Sequence, residues 1–348
     1  MITSSVVLYR TKREELNTVV GCMLNSCIST LYLIDNSPSR ELENYVAGYD
    51  TNRVVYIFSG RNLGYGAGHN IAIREAMKKN ARYHVILNPD ILFTPDSIDK
   101  LHEFMNQNPD VGQVMPKVVY PTGEIQYLCK LIPTPVDLLF KRFLPARLCR
   151  KRLYKFRLEF TGYNCAMNVP YLSGCFMFFR VSALKDVGLF DERFFMYPED
   201  IDMTRRMHER YKTMFYPDTT IIHAHAAASY VSKKMLCVHI VNMIKYFNKW
   251  GWIFDKKRVQ RNRECLERLK SIMENNGDLN YKVLDTRKIV VYINSFSGNV
   301  SVEDIIQNSG ADKLRVYPAL FELEQNGFLE VIEREELGAP TVIRKKKQ

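Results

Sequence analysis

In the first half of the chain, short apolar runs that end in polar residues alternate with stretches that have helical spacing. Strands that alternate with crossover helices are typical of a parallel sheet. We predict strands at residues 4–9, 31–35, 54–58, 83–87 and 111–120, and helices at 13–25, 40–47, 68–79 and 96–107. This pattern predicts the α/β class, with ligands at the carboxyl ends of the strands.

The second half contains a further apolar run at residues 171–181, which has the composition of a central strand. Residues 201–211, 235–250 and 256–274 have helical spacing, and the run from Asn275 to Asp278 is typical of a linker. Phe160 to Phe179 has no charged residue, but its Gly, Asn and Pro residues favour a loop leading into a buried strand over a membrane span.

Positive charge is in excess and is concentrated in two stretches. The 348 residues include 49 Lys and Arg against 38 Asp and Glu, a formal net charge of +11. Residues 138–158 contain eight bases and no acid, and residues 230–270 contain eleven bases and three acids. Such runs are either solvated helix faces or surfaces for an anionic partner. Apolar residues interleave with the first run, which favours an anionic membrane surface or a lipid-linked phosphate.

Cysteine usage and the amino terminus indicate the compartment. The eight cysteines form no CxxC pair, which fits reduced thiols, and the first residues show no signal-peptide pattern. We therefore expect a cytoplasmic protein that lies peripherally on the inner face of the cell membrane.

Polar residues follow the first two predicted strands. The first strand runs into Tyr9 and Arg10, and the second ends in Asp35 and Asn36. A carboxylate and an amide suit hydrogen bonds to a nucleobase or a ribose, although the same dipeptide also favours a turn.

A glycine-rich segment, Gly64-Tyr65-Gly66-Ala67-Gly68, opens the third predicted helix. Glycines let backbone N–H groups approach an anion, so the segment suggests a diphosphate site. Its GxGxG spacing follows the third strand, which disfavours a Rossmann dehydrogenase.

Carboxylates and imidazoles supply the remaining candidates. Asp90 follows a buried strand, as either a turn residue or a ligand for Mg²⁺ or Mn²⁺. Glu199 and Asp200 are either favourable charges at a helix N-terminus or include a general base. His223 and His225 end another apolar run, where they are either metal ligands or hydrogen-bonded histidines.

In their order, these pieces resemble the family 2 inverting glycosyltransferases of the GT-A fold, and within them the bacterial rhamnosyltransferase-like group. The resemblance covers residues 2–272 and is carried by VVLYRT, LIDNSP, NLGYGAGHNIAI, LNPDILFTPDSI, LSGCFMFFRVSALKDVGLFDERFFMYPEDIDMTRRM, IIHAHAAAS and IKYFNKWGWIFD. It implies a nucleotide-sugar-binding GT-A domain over residues 1–274, with a basic amphipathic insert at 136–158 and C-terminal helices at 233–274.

The resemblance also implies roles for individual residues. Asp35 would contact the donor nucleobase, and the nucleotide site would further include Tyr9, Asn62, Gly64, Asn70 and Asn88. Asp90 would bind the Mg²⁺ or Mn²⁺ ion, with an amide, Asn88, in place of the first carboxylate of the DxD-like motif. Asp200 would be the base that deprotonates the acceptor hydroxyl, and Glu199 would support it. His223, with His225 as the second candidate, would complete the metal or diphosphate site.

Residues 285–348, after a linker at 275–284, resemble a small α+β winged-helix domain. Residues 285–344 contain six bases and ten acids, a net charge of −4. A surface that reads nucleic acid should be basic, so nucleic acid is an unfavoured partner and protein contact or a homodimer is favoured.

The sequence thus predicts a metal-dependent inverting hexosyltransferase that uses a nucleoside-diphosphate sugar, dTDP-L-rhamnose first, to extend a lipid-linked or growing polysaccharide. The alternative is a non-catalytic regulator that senses a nucleotide sugar and binds nucleic acid through its winged helix.

Overall fold

A computed structural model describes residues 1–50, 52–138, 146–224, 233–275, 277–335 and 338–346. The chain divides into two compact units. The first consists of residues 1–159 and 163–267, and the second of residues 160–162 and 268–348.

The described residues of the first unit form eleven strands. These are β1 (Ile2–Leu8), β2 (Thr30–Asp35), β3 (Val54–Phe58), β4 (Tyr83–Leu87), β5 (Ile91–Leu92), β6 (Val111–Val119), β7 (Cys129–Lys130), β8 (Met167–Asn168), β9 (Tyr171–Leu172), β10 (Phe176–Arg180) and β11 (Lys212–His223). Strands β7 and β9 form a separate antiparallel pair. The others form one sheet in the order β3-β2-β1-β4-β10-β6-β11-β5, with β8 paired to β11.

Strand directions decide which residues share an edge of the main sheet. Strands β1 to β4 are parallel, β10 is antiparallel to its neighbours β4 and β6, and β11 is parallel to β6. Because β10 is antiparallel to both β4 and β6, these two strands run the same way. Strand β11 is parallel to β6 and therefore also runs in the direction of β4. The carboxyl ends of β1, β2, β4 and β11 and the amino end of β10 therefore lie at one edge. The prediction of an α/β fold with a mostly parallel sheet is confirmed.

The helices flank these strands. They are α1 (Arg13–Leu24), α2 (Glu43–Val46), α3 (Tyr65–Lys78), α4 (Pro95–Gln107), α5 (Pro135–Leu138), α6 (Ala146–Phe156), α7 (Val181–Val187), α8 (Glu199–His208), α9 (Lys233–Trp250) and α10 (Lys256–Asn275). Residues 139–145 of the basic insert lie outside the described residues.

The structure corrects two element predictions in this unit. The single strand predicted at 171–181 is broken into β9 and β10, because the backbone turns at Ser173 and Gly174. Helix α3 begins at Tyr65 rather than residue 68, so most of the glycine-rich segment is helical. Tertiary contacts, described below, override the propensity of glycine for loops there.

The second unit contains α11 (Gly277–Ile293), β12 (Asn299–Ser301), α12 (Val302–Asn308), α13 (Lys313–Gln325), β13 (Leu329–Arg334) and β14 (Pro340–Lys345). The strands form an antiparallel sheet in the order β12-β14-β13, over a core that includes Ile289, Ile305, Leu320 and Ile343. The resemblance to a winged helix stays a prediction. The linker at 275–284 stays a prediction, and helical backbone begins within it, at Gly277. The turn signals mark only the boundary between α10 and α11.

No helix within the described ranges is both long enough and apolar enough to cross a membrane.

Two histidines are buried in the sheet of the first unit. The imidazole of His84 lies 2.8 Å from Thr3 Oγ1 through Nδ1 and 2.9 Å from Ser5 Oγ through Nε2, and Ser5 Oγ lies 2.7 Å from His69 Nδ1. Burial lowers the pKa of His84 to about 3 and the pKa of His69 well below its ordinary value. Both imidazoles are therefore neutral in the folded protein at neutral pH.

We predict that acid destabilises the fold through these histidines. The unfolded chain takes up a proton at each imidazole below about pH 6.5 and the folded chain does not, so the free energy of unfolding falls by about 1.4 kcal/mol per pH unit per histidine. For His84 this loss continues down to about pH 3. Between pH 6.5 and pH 5, the free energy of unfolding measured with denaturant should fall by about 2 kcal/mol less in His84→Gln than in the wild type. Equal dependence in the two proteins would contradict the assignment.

Candidate active site

Helix α8 presents the two adjacent carboxylates, Glu199 and Asp200, in different surroundings. Asp200 Oδ2 accepts hydrogen bonds from Gly174 N at 2.9 Å and from the Tyr171 hydroxyl at 3.3 Å, and Oδ1 accepts one from Ile201 N at 2.8 Å. Glu199 is buried, and its Oε2 atom has no hydrogen-bond partner. Backbone donors thus favour the charged form of Asp200 but leave one oxygen of Glu199 unsatisfied.

The different surroundings of Glu199 and Asp200 determine how the pKa of each carboxyl group shifts. Burial, and then the neighbouring charge of Asp200, hold the pKa of Glu199 well above its usual range. Burial also raises the pKa of Asp200, while the bond from Gly174 N and the charge of Lys130 lower it. Since one proton relieves the repulsion between the pair, it resides on Glu199, and Asp200 is the carboxylate. A carboxylate of raised pKa that holds no proton is suited to accept one.

Buried charges fix the position of helix α8. Asp202, two residues beyond Asp200, pairs with Arg206 at 2.9 Å and with Lys249 at 2.6 Å, and it accepts a hydrogen bond from Trp250 Nε1 at 2.8 Å. The Arg206 guanidinium also donates to the Val187, Gly188 and Leu189 carbonyls. Asp202 is therefore a structural residue that ties α8 to α9 and to the loop after α7.

A second polar group forms where β4 and β11 end. His223 Nε2 lies 3.4 Å from Asp90 Oδ1 and 3.4 Å from Asn88 Nδ2, while His223 Nδ1 lies 2.9 Å from Gln126 Oε1. Burial lowers the pKa of His223, but hydrogen bonds to Asp90 and Cys175 outweigh it and raise the pKa to about 10. The second candidate, His225, lies outside the described residues.

Asp90 and His223 offer a divalent cation two donor atoms, the second of them once the cation displaces the proton held on His223. Ligands of Mg²⁺ or Mn²⁺ that share one edge of an octahedron lie about 3 Å apart, close to the observed separation. Within the described residues, no group of three or more His, Cys, Asp or Glu side chains could hold a metal. A two-ligand site suits an ion whose other positions are filled by water and by substrate phosphates.

The predicted nucleobase site, at the ends of β1 and β2, has a buried acid and an exposed aromatic ring. Asp35 is completely buried; its Oδ2 accepts from the Tyr56 hydroxyl at 2.6 Å and its Oδ1 from Ser37 N at 2.8 Å. Tyr9 is half exposed. A direct contact between Asp35 and a base stays a prediction, and in this structure Asp35 positions Tyr56 and the turn at Ser37.

The glycine-rich segment packs against protein instead of forming an open phosphate cradle. Gly64 has a φ of +88°, and a Cβ there would lie 2.1 Å from the Phe195 carbonyl oxygen. The neighbouring Tyr65 N donates to that oxygen at 3.0 Å. A Cβ at Gly66 would press on Phe190, and one at Gly68 on Val7. The glycines are thus required for the close approach of α3 to β1 and to the 190–195 loop, and their contact with a diphosphate stays a prediction.

Asn70 and Asn62 are also engaged within the protein. Asn70 is completely buried and exchanges hydrogen bonds with the backbone of Phe190, donating to its carbonyl at 2.9 Å and accepting from its N–H at 3.0 Å. It fastens α3 to the 190–195 loop, and its contact with a nucleotide stays a prediction. Asn62 Oδ1 caps the turn by accepting from Gly64 N at 3.0 Å.

Several residues at the site were not singled out from the sequence. Tyr171 and Gln126 contact Asp200 and His223 respectively, and the Tyr65 hydroxyl donates to the Gly174 carbonyl at 2.6 Å. The Ser173-Gly174 pair interrupting an apolar run was the available signal, because a glycine within a strand pattern often marks close approach of another group. Nothing in the local pattern around Gln126 indicated a role, since its partner is 97 residues away.

The sequence profile of the family described as "Glycosyltransferase like family 2" matches residues 29–236, which is more than half of the chain. The chain belongs to this family and is a glycosyltransferase. The match covers the ends of β2, β4 and β11 and the whole of α8, the elements that carry Asp35, Asp90, His223 and Asp200.

Two curated relatives are similar over part of their length. The N-acetylglucosaminyl-diphospho-decaprenol L-rhamnosyltransferase of Mycobacterium tuberculosis is 27% identical over 202 residues, which cover 54% of this chain and 62% of the relative. The low-salt glycan biosynthesis hexosyltransferase Agl10 of Haloferax volcanii is 28% identical over 184 residues, which cover 52% of this chain and 54% of the relative. The matched region thus spans less than two thirds of each relative.

Solved structures show a more distant similarity. S. aureus TarS 1–349 aligns with a TM-score of 0.48 and 13% identity, over 96% of this chain and 93% of that one. The mannosyltransferase PcManGT from Pyrobaculum calidifontis, solved with GDP-Man and Mn²⁺, aligns with a TM-score of 0.47 and 12% identity, over 80% of this chain and 79% of that one.

Proposed function

We propose that the protein is an inverting glycosyltransferase that moves L-rhamnose from dTDP-L-rhamnose onto a lipid-linked or growing polysaccharide acceptor. The observation that carries the proposal is the side chain of Asp200, held by three hydrogen-bond donors beside the buried Glu199. The name of the mycobacterial relative supports the choice of rhamnose and of a lipid-linked acceptor.

In this reaction the acceptor hydroxyl oxygen attacks the anomeric carbon of the donor from the face opposite the leaving group. The new glycosidic C–O bond forms as the bond to the nucleoside diphosphate breaks, which inverts the anomeric configuration. Asp200 takes the proton of the hydroxyl, and the diphosphate leaves with the bonding electron pair. Tyr171 and the N–H of Gly174 hold the carboxylate in place, and Glu199 supports it by staying neutral.

Asp90 and His223 would hold the metal, with Asn88 beside them. A bound Mg²⁺ or Mn²⁺ supplies positive charge that stabilises the departing diphosphate. On the donor side, the half-exposed Tyr9 and the Asp35–Tyr56 pair form the end of the nucleotide site, where a base would lie.

Our test of the function compares the two neighbouring carboxylates. Asp200→Asn removes the proton acceptor and should lower turnover about 10²- to 10⁴-fold while leaving donor affinity unchanged. Glu199→Gln replaces an already neutral group by an isosteric one, so its loss should be far smaller. Turnover with a lipid-linked N-acetylglucosamine acceptor and calorimetric binding of dTDP-L-rhamnose measure the two quantities. If Asp200→Asn turns over at the wild-type rate, Asp200 is a structural residue and not the proton acceptor.

The metal assignment predicts a selective loss on removal of Asp90. In the wild type, Mn²⁺ or Mg²⁺ should tighten the binding of a nucleoside diphosphate, and Asp90→Ala should abolish that tightening because the ion loses its only carboxylate ligand among the described residues. Titration calorimetry with and without the ion measures the effect. Asp96→Ala, which removes an exposed carboxylate on α4, is the control and should keep it. An unchanged metal effect in Asp90→Ala would overturn the assignment.

We also propose that the protein binds an anionic membrane surface, and the structure offers a specific contact. Between α9 and α10 the chain exposes Ile253 and Phe254, whose exposed fractions are 75% and 94%, with Trp252 beside them. Exposed Lys256 follows directly. An apolar tip flanked by bases is suited to a lipid interface. In the other basic stretch, Arg150 and Lys151 are exposed, but Arg152 pairs with buried Asp137 at 2.6 Å.

The double change of Ile253 and Phe254 to Ser should therefore weaken binding to anionic liposomes by about tenfold or more, since each buried apolar side chain contributes about 1.5–3 kcal/mol. Cosedimentation at low and high salt measures it, and binding of the wild type should weaken as salt rises. Val291→Ser, at an exposed apolar residue of the second unit, is the control. The membrane proposal fails if the wild type does not sediment with anionic liposomes even at low salt.

A further inference from the structure

A cavity of about 300 Å³ lies between the β7–β9 pair and the end of helix α6. Its lining is aromatic and apolar, with one amide and two bases: Tyr120, Ile125, Gln126, Tyr127, Leu128, Lys130, Leu138, Phe156, Arg157 and Tyr171. None of these residues belongs to the predicted donor site, and neither base takes part in the proposed transfer.

Two residues that line the cavity are hydrogen-bonded to site residues, one to Asp200 and the other to His223. On one wall, the hydroxyl of Tyr171 donates to Asp200 Oδ2 at 3.3 Å. On another, Gln126 binds His223 through two hydrogen bonds, one between its Oε1 and Nδ1 at 2.9 Å and one from its Nε2 to the His223 carbonyl at 2.7 Å. A molecule in this cavity is thus one residue away from the proton acceptor and one residue away from a candidate metal ligand. An acceptor hydroxyl must reach Asp200, and Tyr171, which lines this cavity, is hydrogen-bonded to it.

The walls are built from long-range contacts that fix their shape. The hydroxyl of buried Tyr163 accepts from Cys129 N at 2.8 Å and lies 2.9 Å from the Arg157 carbonyl oxygen, so it joins β7 to the end of α6. Leu131 N donates to the Phe156 carbonyl at 3.0 Å in the same place. The ring of Tyr127 packs edge-on against Tyr163, with centroids 5.2 Å apart. A preformed aromatic cavity with a few polar groups is the usual form of a small-molecule site.

The charges in the lining indicate the class of ligand. Lys130 Nζ lies 5.0 Å from the centroid of the Tyr171 ring and acts on Asp200, while Arg157 forms a long ion pair, 3.5 Å, with Glu159. Both acids lie outside the lining, which contains two bases and no acid among the described residues, and this favours an anionic group in the ligand. Arg and Lys bind phosphate oxygens strongly, and the tyrosine rings offer flat faces for a sugar.

We infer that this cavity binds the acceptor, and that the acceptor is a saccharide bearing a phosphate or diphosphate group. Its sugar ring lies against Tyr127, its phosphate contacts Lys130 and Arg157, and apolar Leu138 and Phe156 face the chain beyond the phosphate. The inference rests on the proposed function, since it assumes that Asp200 deprotonates an acceptor hydroxyl.

Two water-soluble acceptors test it: N-acetylglucosamine joined through a diphosphate to a short alkyl chain, and the neutral alkyl glycoside of the same sugar. Arg157→Gln should raise KM for the diphosphate acceptor about tenfold or more and change KM for the neutral glycoside little, because only the first loses a charge-assisted contact. Tyr127→Ala should raise KM for both acceptors, and Tyr127→Phe should restore the wild-type value. Lys155→Gln removes an exposed base from the same helix and should change neither.

Calorimetry separates failure of this inference from failure of the function. Affinity for dTDP-L-rhamnose should be the same in all four variants and the wild type. If the wild type transfers sugar but Arg157→Gln leaves both KM values unchanged, the cavity is not the acceptor site. The same conclusion holds if Arg157→Gln loses only liposome binding, since the base then serves a lipid headgroup. If no sugar is transferred, direct binding of the diphosphate acceptor, weakened in Arg157→Gln and not in Lys155→Gln, still supports the cavity, and no binding overturns it.

Discussion

The placement of helix α8 by buried ion pairs is the interaction on which the rest of the site depends. Asp202 is completely buried among Arg206, Lys249 and Trp250, and one turn of the helix further on Arg205 pairs with buried Asp255 at 2.8 Å. Removing one partner of such a pair costs about 3–5 kcal/mol, because the other charge is left buried and unpaired. These pairs hold α8 against α9 and the chain after it, and the helix start therefore has one position. Glu199 and Asp200 occupy that start.

Two chemically similar neighbours, Glu199 and Asp200, have different surroundings. Gly174 N, Ile201 N and Tyr171 all point at Asp200, whereas one oxygen of Glu199 meets none. The break between β9 and β10 is what supplies the Gly174 donor: a continuous strand there would have used that N–H in a sheet ladder. The same break places Tyr171 between Asp200 and the aromatic cavity, which links the chemistry to the proposed acceptor site.

Some residues that the sequence pattern assigned to the donor site make contacts within the protein. Gly64 and Asn70 contact Phe195 and Phe190 within the protein. Through these contacts they secure the loop that precedes α8. A motif recognised by residue type thus located a region of the fold in which the same residues also hold neighbouring elements together. Asp35 shows the same distinction, because its oxygens already bind Tyr56 and Ser37.

Local periodicity determined the α/β class, the parallel strands β1 to β4 and the polar residues at their ends, because burial on both faces of a sheet forces apolar runs and each strand must end in polar chain. The order of the motifs also determined the family. Only the tertiary structure decided that the strand directions around β10 bring His223 to Asp90, that Gln126 and Tyr171 connect His223 and Asp200 to one cavity, and that helical backbone begins at Gly277. The reason is separation along the chain: partners 97 or 135 residues apart leave no periodic signal, and their meeting depends on strand pairings made elsewhere.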